Sequence, residues 1–114
     1  MKFTTTIKKN YEFRRLYSKG KSAASPKLVV YARKCAGDTN HIGITVSTKV
    51  GKAVTRNRVR RRIREIYRLS EENVKRGYSI VIVARTAAAA ATYQQLEKSF
   101  RKCFESLGLY EKEA

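Results

Sequence analysis

The apolar positions of the 114-residue chain fall into short runs with two distinct periods. Phe13, Leu16 and Tyr17 recur at i, i+3 and i+4 in an otherwise polar stretch, which predicts a helix over 11–18 with Asn10 as its N-cap and Gly20 as a left-handed terminator. After the break at Ser25-Pro26 the period changes to two. Over 27–33, Leu28, Val30 and Ala32 alternate with Lys27, Val29, Tyr31 and Arg33, as in a strand with one apolar and one basic-aromatic face. A turn-rich segment over 35–41 reads as a hairpin-type loop into a second strand over 42–47, with Ile42, Ile44 and Val46 on one face and Gly43, Thr45 and Ser47 on the other.

The helical period returns over 55–69. At about 100° per residue, Val59, Ile63 and Ile66 lie within roughly 60° of arc, with Tyr67 beside them. Asn57, Arg60, Arg61, Arg64 and Arg68 gather on the opposite side, flanked by Arg56, Arg58 and Arg62. Gly77 closes a polar stretch, and 78–85 (YSIVIVAR) is apolar on both faces, as a central strand must be. Thr92-x-x-Gln95 is a capping box for a last helix over 93–107, ended by Gly108, with Tyr93, Leu96, Phe100, Cys103, Phe104 and Leu107 on one stripe. The order α-β-β-α-β-α, in which the first strand region can split in two, defines an α+β fold: a small α/β sandwich with helices packed on a sheet. Linkers and repeats are absent, so a single domain is expected over 1–114.

Composition adds what pattern alone does not. With 26 Lys+Arg against 9 Asp+Glu the formal charge is +17, and the 42% hydrophobic content, including 7 Tyr and 4 Phe, is too high for a disordered basic tail. A charge this large opposes compaction unless an anionic partner compensates it, and nucleic acid is the first expectation. The absence of an apolar leader or of an apolar run near ~20 residues predicts a soluble, unprocessed protein without membrane contact. Cys35 and Cys103 fit reduced thiols in a cytosol, and His41, the single histidine, is too little for a zinc site.

The charge is concentrated. Between positions 49 and 68 stand Lys49, Lys52, Arg56, Arg58, Arg60, Arg61, Arg62, Arg64 and Arg68, against one acid, Glu65. Solvated helix faces normally interleave Glu with Lys; this one does not, and the excess of arginine favours paired contacts to phosphate oxygens. A second constellation joins Phe13 and Tyr17 to Tyr31 and Arg33, groups on which unpaired bases can stack. Spacing alone assigns that aromatic pair to a core more readily than to a platform. Hydrolysis of a phosphodiester by protein groups needs clustered carboxylates or an acid-base pair, and the chain offers one histidine and one aspartate, Asp38, in a turn. No catalytic residue is expected in the protein.

The segment Thr45-Val46-Ser47, Lys49, Gly51, Ala53-Val54, Arg56-Asn57-Arg58, Arg60-Arg61 and Arg64 resembles the signature of the bacterial ribonuclease P protein component. Lys8-Lys9-Asn10, Phe13, Tyr17 and Gly20, then Ala84-Arg85, agree in order and spacing, so the resemblance spans 7–109. It implies a subunit of a ribonucleoprotein endoribonuclease in which a large RNA carries the active site, holds most of the Mg2+ and removes the 5′ leader of precursor tRNA. The ribonuclease P RNA would lie on the helix carrying Arg56, Asn57, Arg58, Arg60, Arg61 and Arg64, with Lys49, Lys52 and Arg68 extending that surface. The single-stranded leader would occupy a cleft at Phe13, Tyr17, Tyr31 and Arg85, with Arg33 beside it. The resemblance further implies a cytoplasmic protein that requires no protein partner, and a left-handed βαβ crossover around the Arg-rich helix, against the usual rule.

One departure from the pattern concerns the stretch after Arg85. Many relatives carry a proline there, whereas Thr86 and five alanines stand here, predicting a looser loop or an earlier helix start. Two rival functions belong to other classes. A structural, ribosomal-type RNA-binding protein would share the charge but not need an aromatic groove. A helix-turn-helix DNA-binding protein is disfavoured by the central strand that follows the basic helix.

Overall fold

The computed structural model of the chain describes residues 2–111. The strands are β1 (Thr4–Thr6), β2 (Lys21–Ala24), β3 (Leu28–Lys34), β4 (Asn40–Thr45) and β5 (Tyr78–Ala84), and the helices are α1 (Asn10–Lys19), α2 (Ala53–Ser70) and α3 (Tyr93–Ser106). The five strands form one sheet in the order β1-β4-β5-β3-β2. β5 is central, as its apolar character on both faces requires, antiparallel to β3 and parallel to β4.

Alternation along β3 and β5 divides the apolar residues between two layers. Leu28, Val30, Ile80 and Ile82 face α2 and α3, where Val59, Ile63, Ile66, Tyr67, Leu96, Phe100 and Phe104 complete the main core. The Phe100 and Phe104 rings stack at 3.9 Å. Val81 faces the other way, into a small cluster with Ile7 and Leu16 against which Phe13, Tyr31 and Val83 pack. Helix α1 therefore lies on the sheet face opposite α2 and α3.

α3 begins and ends on the signals that its sequence carries. Thr92 Oγ1 accepts from the Gln95 amide at 3.1 Å, and Gln95 Oε1 accepts from the Thr92 amide at 3.0 Å. Beyond its end, Gly108 at φ 67° lets the Leu109 and Gly108 amides donate to Phe104 and Glu105 carbonyls.

Several local expectations are corrected. The β3–β4 connection is not a hairpin: β5 stands between the two strands, and β4 joins β5 through α2, the parallel βαβ arrangement. The second strand covers Asn40–Thr45, two residues earlier than its alternation suggests, and Val46 is buried just beyond it. Lys9, not Asn10, occupies the N-cap of α1 and makes no side-chain cap. Gly20 is extended at φ −78°; glycine is needed there because a Cβ would lie 2.6 Å from the Leu16 carbonyl oxygen. The alanine segment is neither loose nor an early start of α3 but a 3-10 turn over Thr86–Ala90, pinned by burial of Ala88. Strands β1 and β2 add to the two N-terminal strands read from the pattern, β2 by splitting the first strand region.

β1 is held by polar groups. Asn40 Nδ2 donates to Tyr67 Oη at 3.2 Å, Tyr67 Oη lies 2.8 Å from Thr4 Oγ1, and Thr4 Oγ1 donates to Glu71. The amides of Lys2 and Phe3 donate to the same carboxylate at 2.9 and 3.3 Å. Burial alone would raise the pKa of Glu71, but the hydrogen bonds from Thr4, Lys2 and Phe3 outweigh it and hold the carboxyl below its ordinary range.

Candidate nucleic-acid interface

Burying Val59, Ile63, Ile66 and Tyr67 fixes the rotation of α2, and the opposite face is turned outward by the same geometry. Asn57, Arg61, Arg64 and Arg68 are exposed and Arg60 is half-buried. Val54, 78% exposed, Asn57, Arg60, Arg61 and Arg64 line one shallow depression. Lys49 and Lys52 are exposed where the chain enters the helix.

Not all of these arginines are equally free. Arg56 Nε donates to the Gly51 carbonyl at 3.1 Å, Arg58 to Ala89 at 3.1 Å and Arg62 to Ala91 at 3.0 Å. Two residues of the basic helix thus clamp the 3-10 turn, a structural use that the charge pattern does not reveal. Arg60 donates to Asn57 Oδ1 at 3.1 Å, and Arg68 pairs with Glu65, whose carboxyl is held below its usual range by that hydrogen bond. Arg61 and Arg64 make no hydrogen bond or ion pair among the described residues.

On the other sheet face, α1 crosses above Val81. Phe13 is half-buried, and Gly43 is what lets it sit there: a Cβ at position 43 would come within 2.6 Å of the Phe13 ring. Tyr17 is 42% exposed and meets Tyr31 edge to face at 4.9 Å. The aromatic pair therefore divides, one ring packed on the sheet and one open to solvent. Arg85 continues the alternation of Val81 and Val83 onto this face and donates to the Ser25 carbonyl at 3.1 Å.

Arg33 is placed elsewhere. It lies two residues beyond Tyr31 on the same face of β3, and α1 passes between, so Arg33 lines a cavity with Tyr11, Glu12, Arg15 and His41 rather than joining Tyr17. The α2 face and the aromatic cleft, by contrast, meet. A cavity of about 200 Å³ at the β4 edge is lined by Phe13, Gly43 and Ile44 from one side and by Arg60 and Arg64 from the other.

Among the described residues no three His, Cys, Asp or Glu side chains come together as a metal site. Mg2+ takes oxygen ligands in near-octahedral array, and the one side-chain amide oxygen in the α2 depression, Asn57 Oδ1, already accepts from Arg60. These residues do not fit a resident Mg2+. Nor is any helix among the described residues long and apolar enough to cross a membrane.

The class defined by this arrangement is a small basic α+β protein with an arginine face and an aromatic sheet face, chemistry suited to nucleic acid. The family model described as Ribonuclease P matches residues 1–108. The ribonuclease P protein component of Clostridium acetobutylicum is 50% identical over 105 residues, covering 90% of this chain and 88% of that protein. That of Clostridioides difficile is 48% identical over 99 residues, covering 86% and 87%. The structure of the Staphylococcus aureus RNase P protein superposes with a TM-score of 0.86 at 34% identity, covering 93% of this chain and 97% of that one. The chain belongs to the ribonuclease P protein component family, whose enzyme is a tRNA-processing endoribonuclease.

Proposed function

We propose that the chain binds the catalytic RNA of ribonuclease P through α2 and the single-stranded 5′ leader of precursor tRNA through the cleft between α1 and the sheet. The observation that carries this reading is the junction of the two surfaces at Phe13, Gly43, Arg60 and Arg64. A strand stacked on Tyr17 and Tyr31 can pass directly onto a helix face whose Arg61 and Arg64 have no hydrogen-bond or ion-pair partner among the described residues. Stacking on exposed rings tolerates any base, as a variable leader requires. The guanidinium face meets phosphate oxygens in pairs, with the strong salt dependence that counterion release imposes.

In this reading the protein supplies position and charge, and the hydrolytic centre with its Mg2+ belongs to the RNA. The donor set supports this, since no carboxylate group of the described chain is arranged to hold the ion. By compensating phosphate repulsion next to the leader, α2 lowers the Mg2+ concentration at which the RNA acts. The protein works in the cytoplasm and needs no further protein.

The test is differential binding in the reconstituted holoenzyme. Tyr17→Ala should weaken precursor tRNA by about 5- to 150-fold, the worth of one stacked base, and leave mature tRNA unchanged. Equal losses for both RNAs would remove Tyr17 from a leader cleft.

A further inference from the structure

The cavity on the far side of α1 is not used by the leader or by α2, and it is built like a nucleotide pocket. At about 100° per residue, Tyr11, Glu12 and Arg15 fall on one side of Leu16, while Phe13 and Tyr17 fall on the other. The sheet contributes Arg33 and Ser79, adjacent on β3 and β5, and the loop after β3 contributes Cys35 and Ala36. This half-open cavity measures about 440 Å³, within the range of small-ligand sites.

Three features together select a ligand. Tyr11 is 50% exposed and offers a ring face, with Lys9 Nζ 5.9 Å from its centre. Arg15 and Arg33 supply cations for phosphate. Glu12, the only acid lining this cavity, forms no ion pair with any of them. An unpaired carboxylate among cations that does not close on them keeps two acceptor oxygens available.

We propose that this pocket recognises a guanine nucleotide, with the base on Tyr11, its edge on Glu12 and its phosphate on Arg15 and Arg33. Guanine alone among the four bases presents two adjacent donors, N1–H and the N2 amino group, which pair with both oxygens of a carboxylate. Adenine places an acceptor, N1, where the carboxylate would repel it; uracil offers one donor between two carbonyls, and cytosine one amino group beside an acceptor. Discrimination thus includes a repulsive element as well as an attractive one. The inference is independent of the leader cleft, since it concerns different residues.

Titration of the full chain with GMP, AMP and inorganic phosphate tests it, with amide chemical shifts followed by NMR. GMP should bind about tenfold more tightly than AMP, the scale of one bidentate base contact. Shifts should concentrate at Glu12, Arg15, Arg33 and Ser79. Glu12→Gln, a near-isosteric change at a half-buried position, should bring GMP down to the affinity of AMP, and Tyr11→Ala should weaken both. Short oligouridylates carrying one central guanosine or adenosine then separate the sources: a guanosine preference there assigns the pocket to an RNA residue, and a preference confined to GMP assigns it to a free nucleotide. Equal binding of GMP and AMP, phosphate binding as tightly as GMP, or shifts confined to Phe13 and Tyr17 would each overturn the proposal.

Discussion

Gly43 and Phe13 show how a single missing methyl group shapes a surface. With hydrogen at position 43 the Phe13 ring settles on β4; a Cβ there would lie 2.6 Å from a ring carbon, so the ring would have to move off. Gly43→Ala should therefore destabilise the fold by about 1–3 kcal/mol, as overpacking does, and should weaken precursor tRNA more than mature tRNA. Thermal unfolding and binding to the two RNAs check both halves, and an unchanged melting temperature would show that the ring moves at no cost. The arginines of α2 separate in the same way. Arg61, exposed and without a hydrogen bond or ion pair among the described residues, should on replacement by Ala lower the salt slope of RNA binding by about one and leave stability unaltered. Arg62→Ala removes in addition the hydrogen bond to Ala91 and should cost about 0.5–1.5 kcal/mol, read by urea unfolding. Equal stability of the two variants would contradict the clamping role.

Among the elements, β1 is the one whose docking depends on ionisation. It is short, polar and tied to the turn just after α2 by the Glu71 carboxylate, which accepts from Thr4, Lys2 and Phe3. Because the pKa of Glu71 is lowered in the fold, the contribution is full above the ordinary carboxylate pKa and is lost as pH falls through the folded value. Hydrogen exchange at the Ile7 and Asn40 amides, which bond to Ile42 and Phe3 carbonyls, should accelerate on acidification relative to β5. Glu71→Gln should give that acceleration already at neutral pH, and an exchange pattern unaltered by the substitution would contradict the latch. This strand also marks the limit of what sequence shows. α2, α3 and β5 are legible because their apolar periods, the Thr92–Gln95 box and a run apolar on both faces are local signals. Thr4–Thr6 has no such pattern, and its pairing is set by Glu71 and Asn40, distant in the chain. The pairing of β3 with β5 rather than β4 is likewise decided by long-range burial. For the site, the arginine face followed directly from the period of α2. The separation of Arg33 from Tyr31 did not, because it depends on where α1 crosses the sheet. The clamping by Arg58 and Arg62 carried no sequence signal at all.

Over the whole molecule, a charge of +17 on 114 residues acts on folding and binding with opposite salt dependence. Self-repulsion in the compact state is screened as ionic strength rises, so the melting temperature should increase by several degrees between about 0.05 and 0.5 M monovalent salt. RNA affinity should fall over the same range. Under the proposed function the same charge lets a chain whose described residues hold no carboxylate cluster serve a hydrolytic enzyme, by bringing two RNAs together at the junction of α1, β4 and α2 and leaving the chemistry to one of them. The most direct test is cleavage of a precursor tRNA by a bacterial ribonuclease P RNA at low Mg2+, with the chain, without it, and with the chain alone. Leader removal only when RNA and protein are both present is the predicted result. Cleavage by the protein alone, or tight RNA binding that fails to restore cleavage at low Mg2+, would contradict it.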